Sequence, residues 1–388
     1  MKVAYVSILS AEDPNTWSGL NFSIANCLRR EGIDVTLVGP LYNPPRAFLS
    51  KARSKFRQVT SGRQFLWTRH TRLLRAYSRE VARRLAYLEC DVIFSPGTEA
   101  VAYLPHHVRT PVVLWTDASI GSMVDYYPWY RGLAPQCLAE AMECDTRVLR
   151  RAALACYTSE WAADAAIKLH GAQRDRVAVV PFGPNLASTV RKTEIAGLVS
   201  SRLRFPWKFL LVGVDWERKG GDLALAIVGE LNRRGFPSEL NVVGCHPPRT
   251  RAVPPYLKLH GFVNRQDESG RTRLTAFFRD STFFLLPSLA DATPVVYCEA
   301  MAHALPCIGT WTGGIPSVVR DGITGHLPQP GASVDEYVRR ILESTDPIRY
   351  EAMARAAQHD SATRLNWDSS GARLKELLEE RIAKVCVQ

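Results

Sequence analysis

Two carboxylates frame the segment Asp291-Ala-Thr-Pro-Val-Val-Tyr-Cys-Glu299. Asp291 and Thr293 stand just ahead of a predicted helix, where free N–H groups attract anions and can cradle a phosphate or a sugar. Glu299 lies a turn or more inside that helix, where a carboxylate is suited to accept from two vicinal hydroxyls, the pattern a ribose presents. The plainer alternative makes Asp291 a helix cap and Glu299 a solvated acid. A second stretch, Leu211-Val-Gly213-Val-Asp215-Trp-Glu-Arg218-Lys219-Gly220-Gly221, reads as strand, loop and glycine-rich helix start. Such a loop offers backbone amides, an arginine and a lysine to a diphosphate and stabilises it as negative charge develops; its plainer alternative is a surface turn. No Cys-x-x-Cys, His-Glu-x-x-His or Asp-x-Asp occurs, so catalysis without a metal is expected. Gly-x-Gly-x-x-Gly and a Walker lysine loop are also absent, which argues against a dinucleotide dehydrogenase or a P-loop enzyme.

Positioning these residues falls to a repeated alternation of short β-rich runs and helical stretches, the signature of parallel sheets covered by helices. In such sheets ligands bind beyond the carboxyl ends of the strands. The 388 residues exceed what one core usually supports. One alternation runs from Lys2 to Pro181, and a second begins at Trp207. The expected organisation is an N-terminal Rossmann-like domain over 1–185, a linker over 186–206 and a C-terminal Rossmann-like domain over 207–366. A last helix within 367–388 would pack back on either domain. The nine cysteines are scattered and mostly embedded in apolar runs, as reduced core thiols are. No run reaches the roughly 18 apolar residues of a spanning helix. A cytoplasmic protein, soluble or peripheral on the inner face of a membrane, is the expectation.

The net charge of +11 is unevenly placed. Between Arg46 and Arg84 twelve basic residues face a single acid, Glu80, and the remainder of the chain balances to zero. Aromatic and aliphatic residues recur there at helical spacing, with Arg69, Arg72, Arg75, Arg79, Arg83 and Arg84 on other faces. A basic amphipathic helix that meets an anionic membrane surface or an anionic acceptor is the favoured reading, ahead of a plain solvated face. Nucleic acid is the least favoured partner.

Downstream of Glu299 stands Gly309-Thr-Trp-Thr-Gly313-Gly314-Ile315-Pro316-Ser317-Val-Val-Arg-Asp321-Gly322-Ile-Thr-Gly325. With the acid-seven-Glu segment it resembles the retaining nucleotide-sugar glycosyltransferases of family 4, of GT-B fold. The likeness is specific over residues 281–328 and looser at Val179-Val-Pro-Phe-Gly183 and Asn366-Trp367. It implies an α/β chain of two doubly wound Rossmann-like domains facing across a cleft. It also implies transfer of a sugar from a nucleoside-diphosphate donor to a hydroxyl of a lipid, saccharide or glycan intermediate, with no cofactor. Asp291, shorter than the usual Glu, would face the donor sugar, and Glu299 the ribose. Lys219 matches the family lysine, and Arg218 is read as standing in for an arginine that the family carries where Val214 is found. Amides of the Gly313-Gly314 loop, and of Gly19 in Trp17-Ser18-Gly19-Leu20, would surround the phosphates. Asp117 closes Pro111-Val-Val-Leu-Trp-Thr116-Asp117, in the place of a strand ending in His-Asp; capping the next helix is its plainer role. Ser18, Thr116 and Ser317 depart from the family's Gly, His and Glu. The departures at Ser18, Thr116 and Val214 keep open an inert nucleotide-sugar- or partner-binding member, and because fold alone does not fix function an epimerase or phosphorylase on the same fold stays open too.

Overall fold

The computed structural model describes residues 1–41, 44–186, 188–248 and 253–386. The chain divides into two compact units, Met1–Val180 with Trp367–Gln388, and Pro181–Asn366.

In the first unit β1 (Lys2–Val6), α1 (Leu20–Arg30), β2 (Asp34–Val38), α2 (Pro44–Ser61), α3 (Thr71–Leu85), β3 (Val92–Ser95) and β4 (Val112–Thr116) follow in order. They continue through α4 (Ile120–Met123), α5 (Pro135–Arg151), β5 (Leu154–Tyr157), α6 (Glu160–His170) and β6 (Val177–Val179). The strands form one parallel sheet in the order β2-β1-β3-β4-β5-β6. β3, β4 and β5 are buried along their whole length, as expected of parallel strands covered on both faces. Because β2 and β3 flank β1 on opposite sides, the winding reverses at β1, and the loop that leaves β1 carries Gly19.

The second unit holds α7 (Ile195–Arg202), β7 (Trp207–Gly213), α8 (Gly221–Arg233), β8 (Ser238–Gly244), β9 (Leu257–Leu259), α9 (Glu268–Asp280) and β10 (Phe283–Leu285). Then come α10 (Val295–Ala302), β11 (Cys307–Ile308), α11 (Ile315–Val318), β12 (Gly325–His326), α12 (Val334–Ser344) and α13 (Pro347–Thr363). Its parallel sheet has the order β12-β11-β10-β7-β8-β9, which reverses between β7 and β10. Residues 186–206, expected as a linker, belong to this unit, since Leu186, Val190, Ile195 and Val199 enter its core; residue 187 lies outside the described residues. The anchor is Arg202, a buried arginine whose guanidinium donates to the carbonyls of Phe278, Arg279, His303 and Ala304 at 2.6–3.0 Å. These carbonyls lie at the C-terminal ends of α9 and α10, where backbone acceptors have no partner within their own helix.

A final helix, α14 (Trp367–Cys386), belongs with the first unit, and residues 387–388 lie outside the described residues. The Cys27 thiol of α1 donates to the Trp367 carbonyl at 3.1 Å, and Trp115 meets the Trp367 ring edge-on at 5.9 Å. Gly371 permits the approach, because a Cβ there would sit 2.7 Å from the Cys27 sulfur. The eight cysteines with described side chains are free thiols, and burial pushes Cys144, Cys156 and Cys298 up to about 12.

The basic segment forms two helices. α2 and α3 are separated by residues 62–70, whose Gln64 bridges to Leu133. α3 is an ordinary packed helix: Leu73, Leu74, Tyr77 and Val81 are buried, Arg72, Arg75 and Arg79 are solvated, and Arg83 and Arg84 pair with Glu80. Arg69 is not on an outer face. Its guanidinium is mostly buried between Glu99 at 2.9 Å and Asp145 at 2.6 Å. Among the described residues no helix is long and apolar enough to cross a membrane.

Candidate functional site

In the second unit the loops after β7 and β10 leave neighbouring strands on either side of the reversal, the position at which an open parallel sheet offers a crevice. They are held against each other by backbone. Gly220, at φ +71°, lies so close to Pro287 that a Cβ would fall 2.0 Å from its carbonyl oxygen, and Leu289 N–H donates to the Arg218 carbonyl at 2.8 Å. Gly221 opens α8 directly beneath the Trp216 ring, whose indole N–H donates to Asp222 at 2.8 Å.

This closure buries a cation against an anion. Lys219 and Asp291, one from each loop, form a salt bridge in which both side chains are almost wholly shielded from water. Neither plainer alternative survives. Lys219 is not on a surface turn, and Asp291 does not cap α10, whose N-cap is Pro294 with no side-chain bond. The Asp291 carbonyl accepts from the Gly314 N–H at 2.9 Å, bringing the Gly313-Gly314 turn, with Gly313 at φ +52°, to the same place. Arg218 braces the two loops, its Nη1 donating to the Ala290 carbonyl at 3.0 Å while Asp215 accepts from its backbone N–H at 3.0 Å. Val214 itself is exposed at the end of β7. Thr293 sits half-buried just ahead of α10, its carbonyl accepting from Val295 N–H at 2.9 Å.

Glu299 is fully buried rather than solvated. Its Oε1 accepts from Arg265 Nη1 at 2.7 Å, and its Oε2 has no hydrogen-bond partner among the described residues. Desolvation raises its carboxyl above the ordinary value, with the Arg265 charge and the backbone of Asn185 opposing. A buried acceptor with an open oxygen is the chemistry that a hydroxyl donor completes.

Arg265 was not among the residues singled out from sequence. It lies in the loop after β9, a strand of only three residues, and the position of that loop beyond a strand end was the available signal. Ser288, buried in the β10 loop with an Oγ that lacks a partner among the described residues, was missed for the same reason as any lone serine.

Gly19 and Asp117 belong to the first unit. Asp117 follows β4 and does not cap α4: the N-cap is Ser119, and the Ile120 N–H donates instead to Asp145 at 2.6 Å. Asp145 also takes Arg69 and the Thr98 hydroxyl, so a buried ionic network fixes the turn that carries Asp117. Gly19, at φ +84°, is the N-cap of α1, and the two residues before it are also left-handed, Trp17 at φ +46° and Ser18 at φ +54°. A non-glycine residue in that region costs about 1–2 kcal/mol. Ser18→Gly is therefore expected to raise the unfolding free energy by about 0.5–1 kcal/mol once the extra freedom of an unfolded glycine is subtracted. Urea melts of the two proteins check this, and a loss of stability would mean that the Ser18 side chain outweighs the strain.

Among the described residues no group of three or more His, Cys, Asp or Glu side chains is placed to hold a metal. The family model described as glycosyl transferases group 1 matches residues 206–346, and the one described as glycosyl transferase 4-like domain matches residues 22–183. A D-inositol 3-phosphate glycosyltransferase of Acidothermus cellulolyticus is 28% identical over 219 residues, 53% of this chain and 48% of the relative. A GDP-mannose-dependent alpha-(1-6)-phosphatidylinositol monomannoside mannosyltransferase of Mycolicibacterium smegmatis is 29% identical over 174 residues, 42% of this chain and 45% of the relative. The matches span about half the length of these curated relatives. Anabaena HepE, solved in complex with UDP-glucose, shares the fold with a TM-score of 0.63 at 16% identity, over 98% of this chain and 100% of that one.

Proposed function

Because this chain belongs to the group 1 glycosyltransferases of GT-B fold, we propose that it moves a sugar, with retention and without a metal, from a nucleoside-diphosphate donor to an acceptor hydroxyl. The observation that carries the reading is the buried Lys219–Asp291 pair at the sheet reversal, with the open Oε2 of Glu299 in the same unit. Asp291 orients the sugar hydroxyls, and Lys219, shared with the diphosphate, neutralises charge as the bond from sugar to phosphate breaks. Arg218 holds the β7 loop in register and adds a second cation. Glu299 accepts from the ribose. The amides of Gly313 and Gly314 face phosphate oxygens, and Thr293 lines the donor. The acceptor hydroxyl attacks from the face that the leaving group vacates, with Asp117 on the acceptor side. UDP-glucose in HepE supports a nucleotide-sugar donor. The names of the two curated relatives specify phosphorylated inositols, and an anionic acceptor accords with the basic first unit.

A panel of UDP-, GDP-, ADP- and dTDP-sugars is expected to give one class that raises the melting temperature by mass action. Nucleoside diphosphate should then be released only in the presence of acceptor, which a binding-only protein or an epimerase would not do. Turnover is expected to persist in EDTA, since Arg218 and Lys219 supply the positive charge. Turnover lost on chelation and restored by magnesium or manganese would overturn the metal-free reading.

A further inference from the structure

The helix α2 turns an apolar stripe to solvent. Phe48 is 72% exposed, Leu49 65%, Phe56 69% and Val59 79%. At about 100° per residue, these four and the exposed Ala52 fall within one stripe about 100° wide. The residues of α2 that are not exposed, Ala47, Ser50, Ser54 and Arg57, lie on the opposite side. There Ser50 Oγ donates to the Trp67 carbonyl at 2.7 Å, Arg57 Nη1 donates to Gln136 at 3.2 Å, and the Arg57 guanidinium lies 5.8 Å from the centre of the Phe65 ring. The helix is thus fastened to the first unit by its polar side and offers its apolar side outward, the reverse of an ordinary surface helix. Lys51 and Lys55 border one edge of the stripe, Arg46 and Arg53 the other, and no acid occurs between Pro44 and Ser61.

Scattered exposed apolar residues are unremarked on most proteins, whereas a contiguous patch rimmed by charge marks an interaction surface. The charge selects the occupant. A second copy of the chain would bring this all-cationic rim against itself. An anionic bilayer matches it on both edges, with acyl chains for the stripe and headgroups for the cations. We propose that α2 lies in the headgroup layer of an anionic membrane with Phe48, Leu49, Ala52, Phe56 and Val59 facing the acyl region. The arginines of α3, which sequence suggested for this role, act only as background charge. The assignment deepens the proposed function by placing its acceptor at a lipid surface and rests on that reading for the acceptor alone.

Full-length protein is sedimented with vesicles of phosphatidylcholine alone and with vesicles containing about 30 mol % phosphatidylglycerol, an anionic surface of the kind that attracts basic segments. Nucleotide-sugar binding is followed in parallel by thermal shift. Wild type is expected to sediment with the anionic vesicles only, and less as salt rises from about 0.1 M to about 1 M. Phe48→Ser/Phe56→Ser/Val59→Ser should weaken partitioning at least about tenfold while the melting temperature and donor binding stay unchanged, since these side chains are already in water. Lys51→Gln/Lys55→Gln should cost roughly fivefold per charge at low salt. Arg72→Gln/Arg75→Gln/Arg79→Gln should cost less per charge than the lysine pair. Three results would each overturn the proposal: no sedimentation of wild type, the triple serine variant partitioning like wild type, or a dimer abolished by the serine substitutions. Donor binding with no docking sinks this inference alone; docking with no donor binding sinks the proposed function instead.

Discussion

Lys219→Met is expected to lower the unfolding free energy by about 3–5 kcal/mol and to slow transfer by about 10²–10³-fold. Lys219 and Asp291 are buried against each other where two loops close at the sheet reversal. The Lys219 stem passes beneath Gly213, where a Cβ would come within 2.9 Å of it, so methionine can keep the packing of the stem while removing the charge. What remains is a carboxylate out of reach of water that has lost the Lys219 charge, which costs more than the pair itself contributes. Lys219→Met/Asp291→Asn removes both charges of the pair and should recover most of the lost stability. It should recover none of the turnover, because both groups are assigned to the donor. Denaturant melts and steady-state rates of the three proteins separate the two effects. A single variant as stable as wild type would remove the buried ion pair from the account, and a double variant with restored turnover would remove both residues from the chemistry.

Glu299→Gln should weaken the nucleoside diphosphate by about 1.5–3 kcal/mol, the value of a hydrogen bond to a charged group, while leaving the free protein as stable as before or more so. Glu299 is a carboxylate kept fully buried with one oxygen open, and desolvation raises its pKa against the opposing pull of Arg265. Below the ordinary carboxylate value, the folded and unfolded chains both hold the proton. Between that value and the raised one, only the folded chain holds it, so stability falls as pH rises through this window and is level above it. Glutamine abolishes that slope. Binding runs the other way: in the proposed role the ionised form accepts from ribose hydroxyls, so affinity should decline as pH falls through the raised value. Removing the opposing cation with Arg265→Gln should move that decline to higher pH. Calorimetry across pH on the three proteins tests the set, and identical affinity of Glu299→Gln with the fold intact would dismiss the ribose role.

The sequence was most legible where the physics is local. Strands β3, β4 and β5 are continuous apolar runs, and α6 begins at a Ser159 cap and ends at a left-handed Gly171, so alternation and punctuation sufficed. A lysine-glycine turn, an acid-seven-Glu spacing and a Gly-Gly turn stood out in the sequence, and they follow β7, β10 and β11, which are neighbours in the sheet. α7 was not legible. Eight residues with a glycine in the first turn have little helical preference of their own, and the helix persists because Arg202 reaches four carbonyls at least 76 positions away. Arg69 shows the same limit in reverse. Among eleven other basic residues it looked like one more surface charge, and only the fold reveals that Glu99 and Asp145 enclose it. The apolar stripe of α2 was not singled out, because the helical spacing that stood out in the basic segment is that of α3, and periodicity does not say which side of a helix the protein covers.

The return of α14 to the first unit has a consequence for synthesis. Trp367 closes over Trp115 and Cys27 only after the whole of Pro181–Asn366 has left the ribosome. The second unit is contiguous and can complete its core during translation, whereas the first, although made earlier, waits for the helix that packs against α1 until α14 emerges. Native order of assembly therefore inverts the order of manufacture, and it is the N-terminal half that would engage chaperones while the ribosome is still reading the remainder.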